Sequence, residues 1–128
     1  MNIPQDLLYT KEHEWIKIEG NKGKVGITDY AQSALGDVTF VELPEVGQKV
    51  KQFEPFASVE SVKSVSDVYA PMSGTVVEAN ERLEQSPELI NQSPYEEGWI
   101  ATIEIANLAE RENLLTPEAY KRYLEEEA

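Results

Sequence analysis

Val59-Glu60-Ser61-Val62-Lys63-Ser64-Val65-Ser66-Asp67-Val68-Tyr69-Ala70-Pro71 decides how the rest of this 128-residue chain is read. Valine recurs at 59, 62, 65 and 68 with small or acidic residues between, a composition that suits extended chain. The segment reads as two strands meeting at a polar turn, with Lys63 near the turn. Taken alone, Lys63 is a surface lysine that solvates a face and does no chemistry.

The frame around the lysine changes that reading. Upstream runs Leu43-Pro44-Glu45-Val46-Gly47-Gln48-Lys49-Val50, and downstream runs Ala70-Pro71-Met72-Ser73-Gly74-Thr75-Val76-Val77. Both carry Pro-x-x-Gly-x-x-Val after an apolar residue, and laying Gly47 on Gly74 also lays Val41 on Val68. Two copies are too few for a solenoid but suit a small β domain of two similar halves joined through a hairpin. The alternative is ordinary turn chemistry used twice, which leaves the lysine without a frame.

Composition narrows the function classes. The length fits one domain over 1–128, with 41% hydrophobic residues available for a core. A formal net charge of −13 opposes nucleic-acid binding, which rests on clustered Lys and Arg, and disfavours an anionic membrane surface. With no cysteine, disulfides, thiolate metal sites and a Cys nucleophile are excluded. Met1 to Asp6 has neither signal-peptide nor transit-peptide character, and no apolar run approaches a membrane span. The expectation is a cytoplasmic monomer.

Local patterns fill in the rest. Glu14, Ile16 and Ile18 share one face of a strand, Trp15 lies on the other, and Gly20 to Gly23 turns into a partner strand over 24–27. Thr28 can cap a short helix that Gly36 closes. Strands are expected over 37–43, 49–51, 55–61, 65–70, 73–78 and 99–105, with a loop at Ser93 to Gly98. Ser86 as N-cap and Pro87 at N1 suggest one helical turn. Residues 107–127 are helical in propensity, the last stretch opening at Thr116 and Pro117.

Few residues support catalysis by the chain itself. His13 is the only histidine, so a His-rich metal site is impossible, and beside Glu12 and Glu14 it reads as a surface histidine. No Gly-x-Ser-x-Gly elbow accompanies it. Among 24 acidic residues, closeness in sequence discriminates nothing. An external enzyme carrying an activated acyl group can still acylate Lys63, which removes the charge and leaves a long stem on a rigid hairpin.

Glu60 to Asp67, framed by Gly47 and Gly74, resembles the lipoyl-lysine segment of the H proteins of the glycine cleavage system. A hairpin lysine between two glycines is shared with other lipoyl and with biotinyl domains, but biotinyl domains place methionines beside the lysine, where this chain has Val62 and Ser64. Lys11 to Trp15, Val25 to Gln32 with Leu35 to Val38, and Asn91 to Trp99 resemble the H proteins specifically.

The resemblance covers nearly the whole chain. It implies a mainly β barrel-sandwich hybrid with short helices and a C-terminal helix, and lipoic acid attached as an amide to Lys63. It also implies a non-catalytic carrier serving three enzymes: a pyridoxal-phosphate glycine decarboxylase, a tetrahydrofolate-dependent aminomethyltransferase and a dihydrolipoyl dehydrogenase. A lipoate-attaching enzyme would modify the lysine. The family's pattern puts Glu14 in a cleft that holds the amine-bearing arm, and Asp67, just past the turn, is a second carboxylate for it. Two other readings fit the same residues: an H-like protein that relays lipoate or serves another redox system, and an unmodified acidic scaffold for a basic partner.

Overall fold

The computed structural model describes residues 1–127. Among these described residues nine strands form two antiparallel sheets. The larger takes β1 (Leu8–Tyr9), β2 (Glu14–Glu19), β3 (Lys22–Ile27), β9 (Ala101–Ile105), β8 (Gly74–Ala79) and β5 (Lys49–Val50) in that spatial order. The smaller places β6 (Pro55–Ser61) between β4 (Val38–Glu42) and β7 (Val65–Tyr69). The sheets face each other without closing, the expected barrel-sandwich arrangement.

Strand alternation builds the layer between them. Ile16, Val25, Val76 and Ile103 from the larger sheet meet Val41, Ala57, Val59 and Val68 from the smaller one. Val41 and Val68, equivalent in the repeat, are both buried. The two copies also pair: Lys49 lies opposite Thr75 and Val50 opposite Gly74. The halves therefore meet along their own repeated segments.

Their glycines serve different ends. Gly47 has φ 93° and open space where a side chain would stand, so only its backbone demands glycine. At Gly74 a Cβ would lie 2.1 Å from the Glu104 carbonyl oxygen, so close pairing of β8 with β9 demands it. One letter of the repeat answers two constraints.

The helices cover what the sheets leave open. In α1 (Asp29–Leu35), Thr28 caps by accepting from the Ala31 N–H, and Gly36 closes at φ 81°, as its sequence suggests. The turn assigned to Ser86 and Pro87 is differently built: Ser86 closes α2 (Arg82–Gln85), and α3 (Leu89–Gln92) follows with no side-chain cap. Residues 108–113 form a 3-10 helix, and α4 (Pro117–Glu127) follows. Tyr120 of α4 stacks on Tyr9 at 4.6 Å, beside buried Leu7 and Trp15.

Trp15 shows why one face of β2 did not stay wet. Its indole N–H donates to the carbonyls of Ile27 and Pro94, so the loop at 93–98 covers it. Glu14, Trp15 and Ile16 are consequently all buried, and the start of β2 has protein on both sides.

Candidate functional site

Lys63 occupies a two-residue hairpin connection, since Glu60 pairs with Val65 and the Ser61 N–H donates to the Ser64 carbonyl at 2.8 Å. Such tight connections usually need positive φ, yet neither Val62 nor Lys63 has it. The Ser61 hydroxyl oxygen substitutes, accepting from the Lys63 N–H at 3.3 Å and the Ser64 N–H at 3.2 Å. The Val62 N–H donates to the Asp37 carbonyl at 3.0 Å, tying the turn to the exit of α1.

The lysine is exposed, and its ammonium has no hydrogen bond or ion pair among the described residues. Its stem nevertheless lies on the protein: a Cβ at Gly36 would stand 3.1 Å from the Lys63 Cε. The stem thus crosses the C-terminal end of α1 where a side chain is missing.

Beside that crossing lies a cleft of about 310 Å³ between α1, β2 and β7. Ile27, Ala31, Leu35, Val59 and Val68 supply apolar wall, and Glu12, His13, Glu14, Tyr30 and Ser66 supply polar groups. Lys63 and Glu14, 49 positions apart in the chain, thereby belong to one region of the surface.

Glu14 is 1% exposed. One carboxylate oxygen accepts from the Thr10 hydroxyl and the other from the Tyr69 N–H at 3.0 Å, linking the two sheets. Burial pushes its pKa up to about 7, against the opposing pull of those hydrogen bonds. A carboxylate has about four acceptor directions and these donors use two, so a further donor in the cleft displaces neither. Near neutral pH the group stands close to its titration point.

Asp67 stands differently. It is exposed, and its register opposite Ser58 puts it on the outer side of the smaller sheet, while its neighbours Ser66 and Val68 fall opposite inward-facing Val59 and Ala57. It borders both the cleft and an outer groove containing Glu42 and Pro55. Glu14 forms the wall and Asp67 the rim.

His13 departs from the surface histidine expected. It has φ 71° in the turn before β2 and is half-buried, with Nδ1 3.0 Å from the Tyr120 hydroxyl, which in turn lies 2.7 Å from the Thr28 Oγ1. Burial lowers its pKa, opposed by the charge of Glu12. The imidazole also sits 4.6 Å from the Tyr30 ring, in the cleft wall. Sequence reading missed this cluster because its members come from three distant segments.

Comparison with known proteins agrees with this geometry. The family described as "Glycine cleavage H-protein" matches residues 7–127. A glycine cleavage system H protein of Symbiobacterium thermophilum is 62% identical over 125 residues, covering 98% of both chains. Its counterpart in Bacillus subtilis is 56% identical over 127 residues, 99% of this chain and 100% of the other. The crystal structure of a glycine cleavage system H protein from Mycobacterium marinum superposes with a TM-score of 0.85 at 41% identity, covering 98% of each chain. A chain so matched along its length, with its hairpin lysine beside a carboxylate-bearing cleft, belongs to the glycine cleavage H-protein family.

Proposed function

We propose that the whole chain acts as one lipoyl-carrier domain in the cytoplasm, with lipoate joined to Lys63 as an amide. It carries the aminomethyl fragment of glycine from a pyridoxal-phosphate decarboxylase to a tetrahydrofolate-dependent aminomethyltransferase, then presents the reduced arm to a dihydrolipoyl dehydrogenase. The chain catalyses none of these steps. The observation that carries the reading is Lys63 at the tip of a fastened hairpin, its stem crossing Gly36 beside a cleft walled by Glu14.

The residues fit the group. A lysine at an exposed turn, without a partner among the described residues, is open to acylation once its amine has given up a proton, and the aliphatic wall of Ile27, Ala31, Leu35 and Val68 suits a hydrocarbon arm. Lipoate supplies a disulfide that accepts an aminomethyl fragment with two electrons; the protein supplies its placement. Glu14 offers unused acceptor directions to the cargo's ammonium and is drawn toward its carboxylate form by that charge. Ile27 and Leu35 limit access of water to a fragment prone to hydrolysis. Asp67, at the rim, meets the ammonium on its way in. Gly47 and Gly74 keep the two copies of the repeat paired through β5 and β8, in the sheet that faces the hairpin.

The test is reconstitution. Protein lipoylated by a purified lipoate ligase should show one lipoyl mass increment and should support glycine decarboxylation by the purified decarboxylase. Replacing Glu14 with Ala should shorten the lifetime of the amine-loaded carrier about tenfold, the loss of one charge-assisted contact. An unaltered lifetime removes Glu14 from the role. Lipoylation without any support of decarboxylation would instead favour a carrier relaying lipoate or serving another redox system.

A further inference from the structure

The smaller sheet has an outer side of which the carrier reading uses only Asp67, at the cleft rim. Across it Phe40 stands opposite Glu60 and Glu60 opposite Val65, while Glu42 stands opposite Ser58 and Ser58 opposite Asp67. Phe40 is 51% exposed, Val65 66% and Val62, at the turn, 69%. A phenylalanine on an edge strand and two valines beside a lysine turn are an unusual apolar exposure for a chain this acidic. Neither β4, β6 nor β7 contains a Lys or Arg, so every charge those strands place here is negative: Glu42, Glu60 and Asp67.

Reach decides which partner meets this side. Once an arm is attached, an enzyme can work at its far end with little contact at the hairpin. The enzyme that attaches it has no such arm and must bring its bound acyl group to bonding distance of the Lys63 Nζ. Its surface therefore abuts the turn and the strands that end there, β6 and β7, with β4 alongside.

We propose that the outer side of β4–β6–β7, anchored by Phe40 with Val62 and Val65, is where the enzyme that acylates Lys63 docks, presenting an apolar hollow rimmed by Lys and Arg. The inference rests on Lys63 being the acylated residue. Phe40 fills the hollow, and the three carboxylates orient the encounter, so association weakens with salt. Phe40 makes little of the core, so its removal leaves the fold intact.

The test uses unmodified full-length protein, a purified lipoate–protein ligase, lipoate and ATP, with lipoylation followed by intact mass and binding measured separately by calorimetry. Phe40→Ser should weaken binding and lower kcat/KM about tenfold through KM. Glu42→Lys should lower it further and flatten its salt dependence between 50 and 300 mM. Val77→Ser, which removes an exposed valine from β8 of the other sheet, should stay within twofold.

Unchanged binding in both Phe40→Ser and Glu42→Lys overturns the proposal, as does an equal loss in Val77→Ser. Should Phe40→Ser not fold, Glu42→Lys and its salt dependence decide alone. A Phe40-dependent dimer of the unmodified protein assigns this side to a second copy and likewise overturns it. Failure of the wild-type protein to accept lipoate at all fails the carrier reading, a result distinct from lipoylation that ignores Phe40.

Discussion

The hairpin and the wall it faces are built by opposite rules. At the hairpin, Ser61 fastens the turn with one hydroxyl, the lysine is exposed and its ammonium has no partner among the described residues. At the wall, Glu14 is buried and each oxygen already accepts a bond, one from Thr10 just past β1 and one from Tyr69 of the smaller sheet. An attachment point must be reached by enzymes, so it stays at the surface and its precision comes from the turn beneath it. A receiving group must wait in position, so it is buried, and burial in turn raises its pKa.

Removing the attachment atom breaks this comparison most completely. Lys63→Arg should abolish the lipoyl mass increment and all support of glycine decarboxylation, while the melting temperature stays within about 2 °C because an exposed, unpaired side chain contributes little to stability. Residual lipoylation at another lysine would separate the hairpin from the function.

Glu14→Gln tests the wall. The folded pKa of about 7 lies above the usual value of 4.5, so the folded chain binds more protons than the unfolded one between those pH values. Stability from this group is therefore fully present below about pH 4.5 and is lost as pH rises through about 7. Relative to Glu14→Gln, whose amide does not titrate, the wild-type protein should lose on the order of 3 kcal/mol across that window. Parallel denaturation curves at pH 4.5 and 8 would show that Glu14 is not held in its acid form.

The smallest effect belongs to the fastener. Ser61→Ala should lower stability by about 1 kcal/mol and increase backbone motion at 62–64, seen as lower amide order parameters, while leaving the pH dependence set by Glu14 unchanged. Coupled changes at both places would show that hairpin and wall are one cooperative unit.

Local chemistry made most of the fold legible. Valine spacing, the Thr28 cap with its closing glycine, and the repeated Pro-x-x-Gly turns each depend on neighbours in sequence, and each element formed as expected. What stayed hidden depends on tertiary burial. Only the family resemblance separates Glu14 from the other acids in the sequence; its own local pattern does not until Thr10 and Tyr69 are brought to it, and nothing local marks His13 until α4 delivers Tyr120. Residues 107–115 carry helical propensity, but only 108–113 are helical and as a 3-10 helix, with the Gln52 side chain donating to the Glu110 carbonyl and Glu110 accepting from Ser73. Lys63 was found through its frame, and its stem's path over Gly36 became visible only in three dimensions.

The covered indole of Trp15 has a spectroscopic consequence. Its N–H is shared between two carbonyls, and a Cβ at Gly26 would stand 2.6 Å from its ring, so the fluorophore sits in a dry, tightly bounded place. Trp99 is only half-buried, with the Lys24 ammonium 5.1 Å from its ring centroid. The chain thus carries a blue-emitting reporter bonded to the loop at 93–98 and a second, wetter one at that loop's exit. Lifting of that loop would redden the first emission while the sheets remain folded.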